Sequence, residues 1–286
     1  MRPSFFRSHY FRFLLALAAG LPLSACEEVV DVTIPTGPPL LVVDGAVTDQ
    51  PGPYVVKLSQ TVPYFTEQGL PPVPGAVLTL SDNEGHRETL REQAPGTYVT
   101  STFRGRIGNQ YTLTIQTGGE EYRAETEIRR TPPLDSVRVP YRANPAVGSP
   151  GYYTLYYGPE PAGLGDYYRF KVFRNGRLLN RPENLLVRSD ELVDGRYIGA
   201  FELTNNNTAD ERFERGDRIR VEMNSLPRDY FFFLNEFVLQ RNNFGLFAQP
   251  RANLRTNVLN RNLKSARPAV GYFAGYTVRQ DSAVTR

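Results

Sequence analysis

LTLSDNEGHRETL, residues 78–90, reads as a β-hairpin, with Asp82 to Gly85 supplying the turn chemistry between two extended runs. The same pattern spreads outward from it. From Leu40 onward the chain alternates with period two and is broken at intervals by Gly and Pro. In YVVKLS, Tyr54, Val56 and Leu58 share one face, opposite Val55, Lys57 and Ser59. In YTLTI, Tyr111, Leu113 and Ile115 alternate with Thr112 and Thr114. Short strands at this spacing predict a β-sandwich over residues 40–131.

RRTPPLDSV, residues 129–137, reads as a joint stiffened by Pro132 and Pro133. Alternation then resumes. YYRFKVF sets Tyr168, Phe170 and Val172 against Arg169 and Lys171, and RIRVEM sets Ile219, Val221 and Met223 against Arg218, Arg220 and Glu222. Turns are expected at Asn175-Gly176, Asp194-Gly195, Asn205 to Asn207 and Gly216-Asp217. The fold class expected is mainly β: two tandem sandwiches, transthyretin-like or immunoglobulin-like, the second over residues 134–286. One segment breaks the rhythm. In SLPRDYFFFLNEFVLQRNN, Tyr230, Phe233, Leu234, Phe237 and Val238 follow the helical i, i+3, i+4, i+7 spacing. This predicts a helix near 226–241 on the second sheet, with Ser225 as its cap and Pro227 and Asp229 in its first turn.

The N-terminus reads as an export signal. Arg2, Arg7 and Arg12 precede the apolar run Phe13–Leu23, which is too short to span a bilayer. Leu23-Ser24-Ala25-Cys26 resembles the lipobox of bacterial lipoproteins, in which the cysteine becomes the lipidated N-terminus. Cys26 is the sole cysteine, so residues 1–25 are assigned as signal peptide and Cys26 as the lipidation site. A lipidated Cys26 leaves no thiol for a disulfide, and the body must be held by its core. Residues 26–39 form a tether; the thirteen after the cysteine reach roughly 40 Å when extended.

Losing the three leader arginines leaves 30 basic and 30 acidic groups, and no nucleic-acid partner is expected of a neutral chain. The balance is uneven, because Leu226 to Arg286 holds nine Lys/Arg against three Asp/Glu.

Catalytic signatures are sparse. Past the leader the only histidine is His86, beside a predicted turn, which leaves little for a Ser-His-Asp triad or a histidine metal centre. Glu120-Glu121 and Asp190-Glu191 are adjacent acids, and neighbours in a strand face opposite ways. Asp82, Asn83 and Glu84 offer oxygens to calcium without EF-hand spacing, and a plain turn is the expectation there. No cofactor, metal or enzymatic activity is expected. Asp135-Ser136-Val137 and Asp281-Ser282-Ala283 resemble bacterial O-glycosylation acceptor triplets, making Ser136 and Ser282 candidate modification sites. The tyrosine doublets 152–153, 156–157 and 167–168 put one ring on each strand face, which suggests an aromatic interaction surface.

An ordered set of segments carries a family resemblance: residues 40–64, 73–99 (VPGAVLTLSDNEGHRETLREQAPGTYV), 108–126, ANLRTNVLN at 252–260 and VGYFAGYTV at 270–278. Together they resemble the domain of unknown function 4249 lipoproteins of Bacteroidota. That resemblance implies an outer-membrane lipoprotein working beside a TonB-dependent receptor, and it carries no catalytic residues. The expectation is therefore a non-enzymatic, lipid-anchored accessory of such a transporter. The alternative is a surface adhesin or glycan-binding module using the Tyr152–Tyr157 cluster.

Overall fold

Alternation along the chain becomes a ladder of short strands, the longer ones mostly with one face buried, in a computed structural model. It describes residues 37–286 apart from 64–65, 67–68, 147, 182–183, 205–207, 242–253 and 266. Cys26, the leader, most of the tether and the turn expected at 205–207 lie outside the described residues. Contacts divide the chain into Met1–Gly37 and Pro38–Arg286, and every described strand and helix belongs to the latter.

Eight strands come first: β1 (Leu41–Thr48), β2 (Val55–Gln60), β3 (Val77–Asp82), β4 (Arg87–Thr89), β5 (Arg91–Ala94), β6 (Thr97–Val99), β7 (Gln110–Thr117) and β8 (Glu120–Glu127). The predicted hairpin is β3–β4, with Asp82 Oδ1 accepting the amides of Glu84 and His86 across the turn. The second half supplies β9 (Ser136–Arg138), β10 (Tyr141–Arg142), β11 (Gly151–Tyr152), β12 (Leu155–Pro159), β13 (Tyr167–Arg174), β14 (Arg177–Leu178), β15 (Leu186–Ser189), β16 (Tyr197–Glu202) and β17 (Arg218–Leu226). Helix α1 (Arg228–Arg241) follows, then β18 (Val258–Asn260), β19 (Ala269–Tyr276) and β20 (Arg279–Val284). No described helix is long and apolar enough to cross a membrane.

The first sandwich packs the sheet β19-β1-β2-β6-β5 against β18-β8-β7-β3-β4. Val43, Val56, Leu58, Leu78, Leu80, Tyr111, Leu113 and Ile115 meet between them. The second packs β16-β12-β9 against β14-β13-β17-β20, with β15 also on β13, around Tyr156, Phe170, Val172, Ile219, Val221 and Met223.

The boundary between them differs from the sequence reading. β18 and β19, expected within residues 134–286 as part of the second sandwich, are strands of the first. β19 runs parallel to β1 in register from Leu41↔Ala269 to Thr48↔Tyr276, and β18 pairs antiparallel with β8. Gly271 permits that approach. It has φ +88°, and a Cβ there would lie 2.1 Å from the Val43 carbonyl oxygen.

Only Thr277 and Val278 separate β19 from β20, which is an edge strand of the second sandwich. One nearly continuous strand thus belongs to both bodies. The crossing is pinned by Asn224 Nδ2 on the Thr277 carbonyl (3.0 Å), by the Ser225 amide on Thr277 Oγ1 (3.1 Å) and by the Val278 amide on Asp49 Oδ1 (2.8 Å). Ser225 Oγ donates to the Arg130 carbonyl (2.6 Å), so the joint is clasped as well as stiffened.

That bond also corrects the helix cap. Ser225 is the next-to-last residue of β17, and α1 starts at Arg228, with the Phe231 amide on the Pro227 carbonyl. Asp229 sits in the first turn as expected.

Candidate functional site

Helix α1 wedges beside the closing edge of the first sandwich, and clefts flank its N-terminal half. Leu234 is its buried anchor, packed with Val187 and Leu226. Asp229 Oδ2 accepts the Tyr272 hydroxyl, tying the first turn to β19.

The cleft on one side, about 750 Å³, is polar. Its floor is the outer face of β3, β7 and β8, where Ser81, Thr112 and Glu125 lie side by side across three strands. Arg228, Phe232 and Arg255 form the other wall, with both guanidinium groups within 5.4 Å of the Phe232 ring centre. Arg123 pairs with Glu125 at 2.8 Å inside the cleft, and Arg255 pairs with Glu236 at 2.7 Å.

The cleft on the other side, about 390 Å³, is amphipathic. Tyr230, Phe233, Tyr272 and Tyr276 line one wall, and Asp44, Lys57 and Arg169 bring polar groups to it. Tyr230, Phe233 and Tyr272 form a set of rings with centres 4.9 to 6.0 Å apart and planes within 35° of one another. Burial pushes the Tyr230 and Tyr272 hydroxyls above the ordinary tyrosine range, so both are neutral hydrogen-bonding groups at physiological pH.

A third assembly lies at the joint. Glu160, Asp166 and Asp190 are buried, with carboxylate oxygens within 4.8 Å of one another. Arg130 Nε and Nη2 both donate to Asp166 Oδ2, at 3.0 and 2.7 Å, and Nη2 also reaches the carbonyls of Ala162 and Gly163. Asp190 Oδ2 accepts the amides of Gly165 and Asp166, and Tyr168 donates to Glu160 Oε1 at 2.8 Å. The second nearby cation, Arg129, stands 4.0 Å from Asp166 Oδ1. Three acids facing two arginines, one of them distant, form a structural clasp between the linker and two loops. The 750 Å³ cleft does not reach it.

Burial, followed by the charges of Asp166 and Asp190, raises the Glu160 carboxyl from 4.5 to about 7, against the opposing pull of Tyr168 and Arg130. A carboxyl whose folded value is raised holds its proton longer in the native state than in the unfolded chain. Stability therefore falls as pH climbs from about 4.5 to 7, by about 3 kcal/mol once Glu160 is ionised. Glu160→Gln keeps an acceptor for Tyr168 and removes the charge. Urea melts should show the variant matching the native chain near pH 5 and exceeding it by about 2–3 kcal/mol at pH 8. A gap that does not change with pH would refute this.

The remaining sequence candidates scatter. His86 is an exposed turn residue with Nδ1 2.9 Å from Asp82 Oδ2, and both Asp82 oxygens serve the turn. Glu120 accepts from Ser265 Oγ and Asn260 Nδ2, bracing the turn after β18. Ser136 lies in β9 and Ser282 in β20, both half-buried, and the Val137 amide on Asp281 Oδ2 brings the two triplets side by side. The Tyr152–Tyr157 surface is not assembled. Tyr152, Tyr153 and Tyr156 are buried, and Tyr157 is half-buried under the Arg138 guanidinium, 4.8 Å from its ring centre. Sequence reasoning missed the Glu160–Asp166–Asp190 clasp and the amphipathic cleft, because each is built from segments far apart in the chain.

A family model described as Domain of unknown function (DUF4249) matches residues 27–282. The chain belongs to the DUF4249 family. The match takes in both sandwiches and both clefts. No curated protein matches this DUF4249 chain.

Proposed function

We propose that this DUF4249 protein is a lipid-anchored component of the cell outer membrane, a non-enzymatic accessory or binding partner of a TonB-dependent transporter. The observation that carries the reading is Leu23-Ser24-Ala25-Cys26 at the end of an apolar run, followed by a tether. Segment 269–284, shared by both sandwiches, supports a binding role, since it joins them and, through Tyr272 on Asp229, ties helix α1 and its clefts to both. The resemblance of the ordered segments supports the transporter as partner.

Affinity capture of the tagged, full-length lipoprotein from native outer membranes in mild detergent tests it. A TonB-dependent receptor is expected at near one-to-one stoichiometry. Recovery of the lipoprotein alone, with uptake unchanged on deletion, would overturn the reading.

A further inference from the structure

We propose that the amphipathic cleft between helix α1 and the first sheet binds a pyranose ring of a carbohydrate. This rests on the reading of the protein as a transport accessory and names the class of cargo. A pyranose is itself amphipathic, with a C–H face that packs on aromatic rings and an equator of hydroxyls that donate and accept. The cleft presents both halves of that complement. Tyr230, Phe233 and Tyr272 give a wall of rings whose planes lie within 35° of one another, and Tyr276 extends it.

Facing it, Asp44 on β1 and Lys57 on β2 are cross-strand partners, both exposed. Among the described residues neither side chain makes a hydrogen bond or ion pair, so an acceptor and a donor stand ready together. Arg169 lines the same cleft, and its buried Nε has no hydrogen-bond partner among the described residues. A buried donor without a partner is unfavourable, and a ligand hydroxyl that reaches it would satisfy it. A strongly anionic ligand would meet Asp44, and a cationic one would meet Lys57 and Arg169. A neutral polyhydroxylated ring meets neither penalty.

Isothermal titration of the purified protein, without any transporter, against maltohexaose, xylohexaose, mannohexaose and chitohexaose tests the site. At least one is expected to bind, with the Lys57→Ala and Asp44→Ala variants weakened about tenfold. Both positions are on the exposed face, so these variants are expected to fold as the native chain does. Tyr230→Ala should abolish binding, with the thermal midpoint recorded alongside to separate lost rings from lost fold. No binding to any of the four, or binding that Lys57→Ala and Asp44→Ala leave unchanged, would overturn the proposal. Receptor capture with the same Asp44→Ala protein reads the transporter partnership separately. Capture that persists while sugar binding fails rejects the cargo alone.

Discussion

A chain cut to residues 38–133 is expected not to fold, although it retains β1–β8 intact. The fragment lacks β18 and β19, which bring Val258, Ala269 and Phe273 into the core of the first sandwich. Fully burying one large apolar side chain contributes about 1.5–3 kcal/mol, and Phe273 alone is of that size. β1 would also lose its whole parallel partner, exposing one edge of the sheet and the core residues Leu41 and Val43 beneath it. Together these losses match the roughly 5–15 kcal/mol that holds a domain folded. Far-ultraviolet circular dichroism should show no cooperative melt, and amide proton shifts should be poorly dispersed. A permuted chain placing 254–276 ahead of residue 38 supplies the control. β19 and β1 are parallel, so its linker must retrace the strand, about 26 Å, which takes about ten residues. That chain should regain a cooperative transition. A folded 38–133 fragment would show that β19 is an accessory strand.

The same feature marks where the sequence stopped being legible. Alternation in YVVKLS, YTLTI, YYRFKVF and RIRVEM gave the correct buried faces, because a strand's two sides are decided locally by its period. Partnership is not local. VGYFAGYTV reads as a strand from its residues, yet nothing within it says that it leaves the second body to lie beside β1, over two hundred residues earlier in the chain. One clue was present: AVGYFAGY, residues 269–276, runs without polar alternation, the habit of a parallel strand covered on both sides. The helix was legible from spacing, but Ser225 was not a cap because its hydroxyl is spent on Arg130.

Tyrosine doublets misled for a related reason. Period two does put one ring on each face, but outer faces here are roofed by guanidinium groups and by α1. Tyr157 lies under Arg138, and Tyr167 stacks on Phe231 at 4.6 Å. The amphipathic cleft draws on β1, β2, β13, α1 and β19, so no window of sequence contains it.

Replacing Arg130 by Ala is expected to cost about 3 kcal/mol, lowering the thermal midpoint by roughly 6–12 °C for a body of this size. Most of that cost is Asp166, not the arginine. Arg130 is half-exposed and returns readily to water, whereas the Asp166 side chain is 1 % exposed and would be left beside Glu160 and Asp190 with only Arg129 in reach. Leaving a buried charge unpaired is the expensive outcome, and removing the charge as well should relieve it. Asp166→Asn in the Arg130→Ala background is therefore expected to recover a good part of the loss, a coupling of about 2 kcal/mol in a double-mutant cycle. Arg130→Lys should recover less. An ammonium group cannot place two donors on Asp166 Oδ2 while also holding the Ala162 and Gly163 carbonyls. The variant has a second signature. Arg130 opposes the rise in the Glu160 carboxyl, so its loss should move the Glu160 titration above about 7. A single-site change within about 0.5 kcal/mol of the native chain, with the Glu160 titration unmoved, would show that the Arg130–Asp166 pair does not hold the joint.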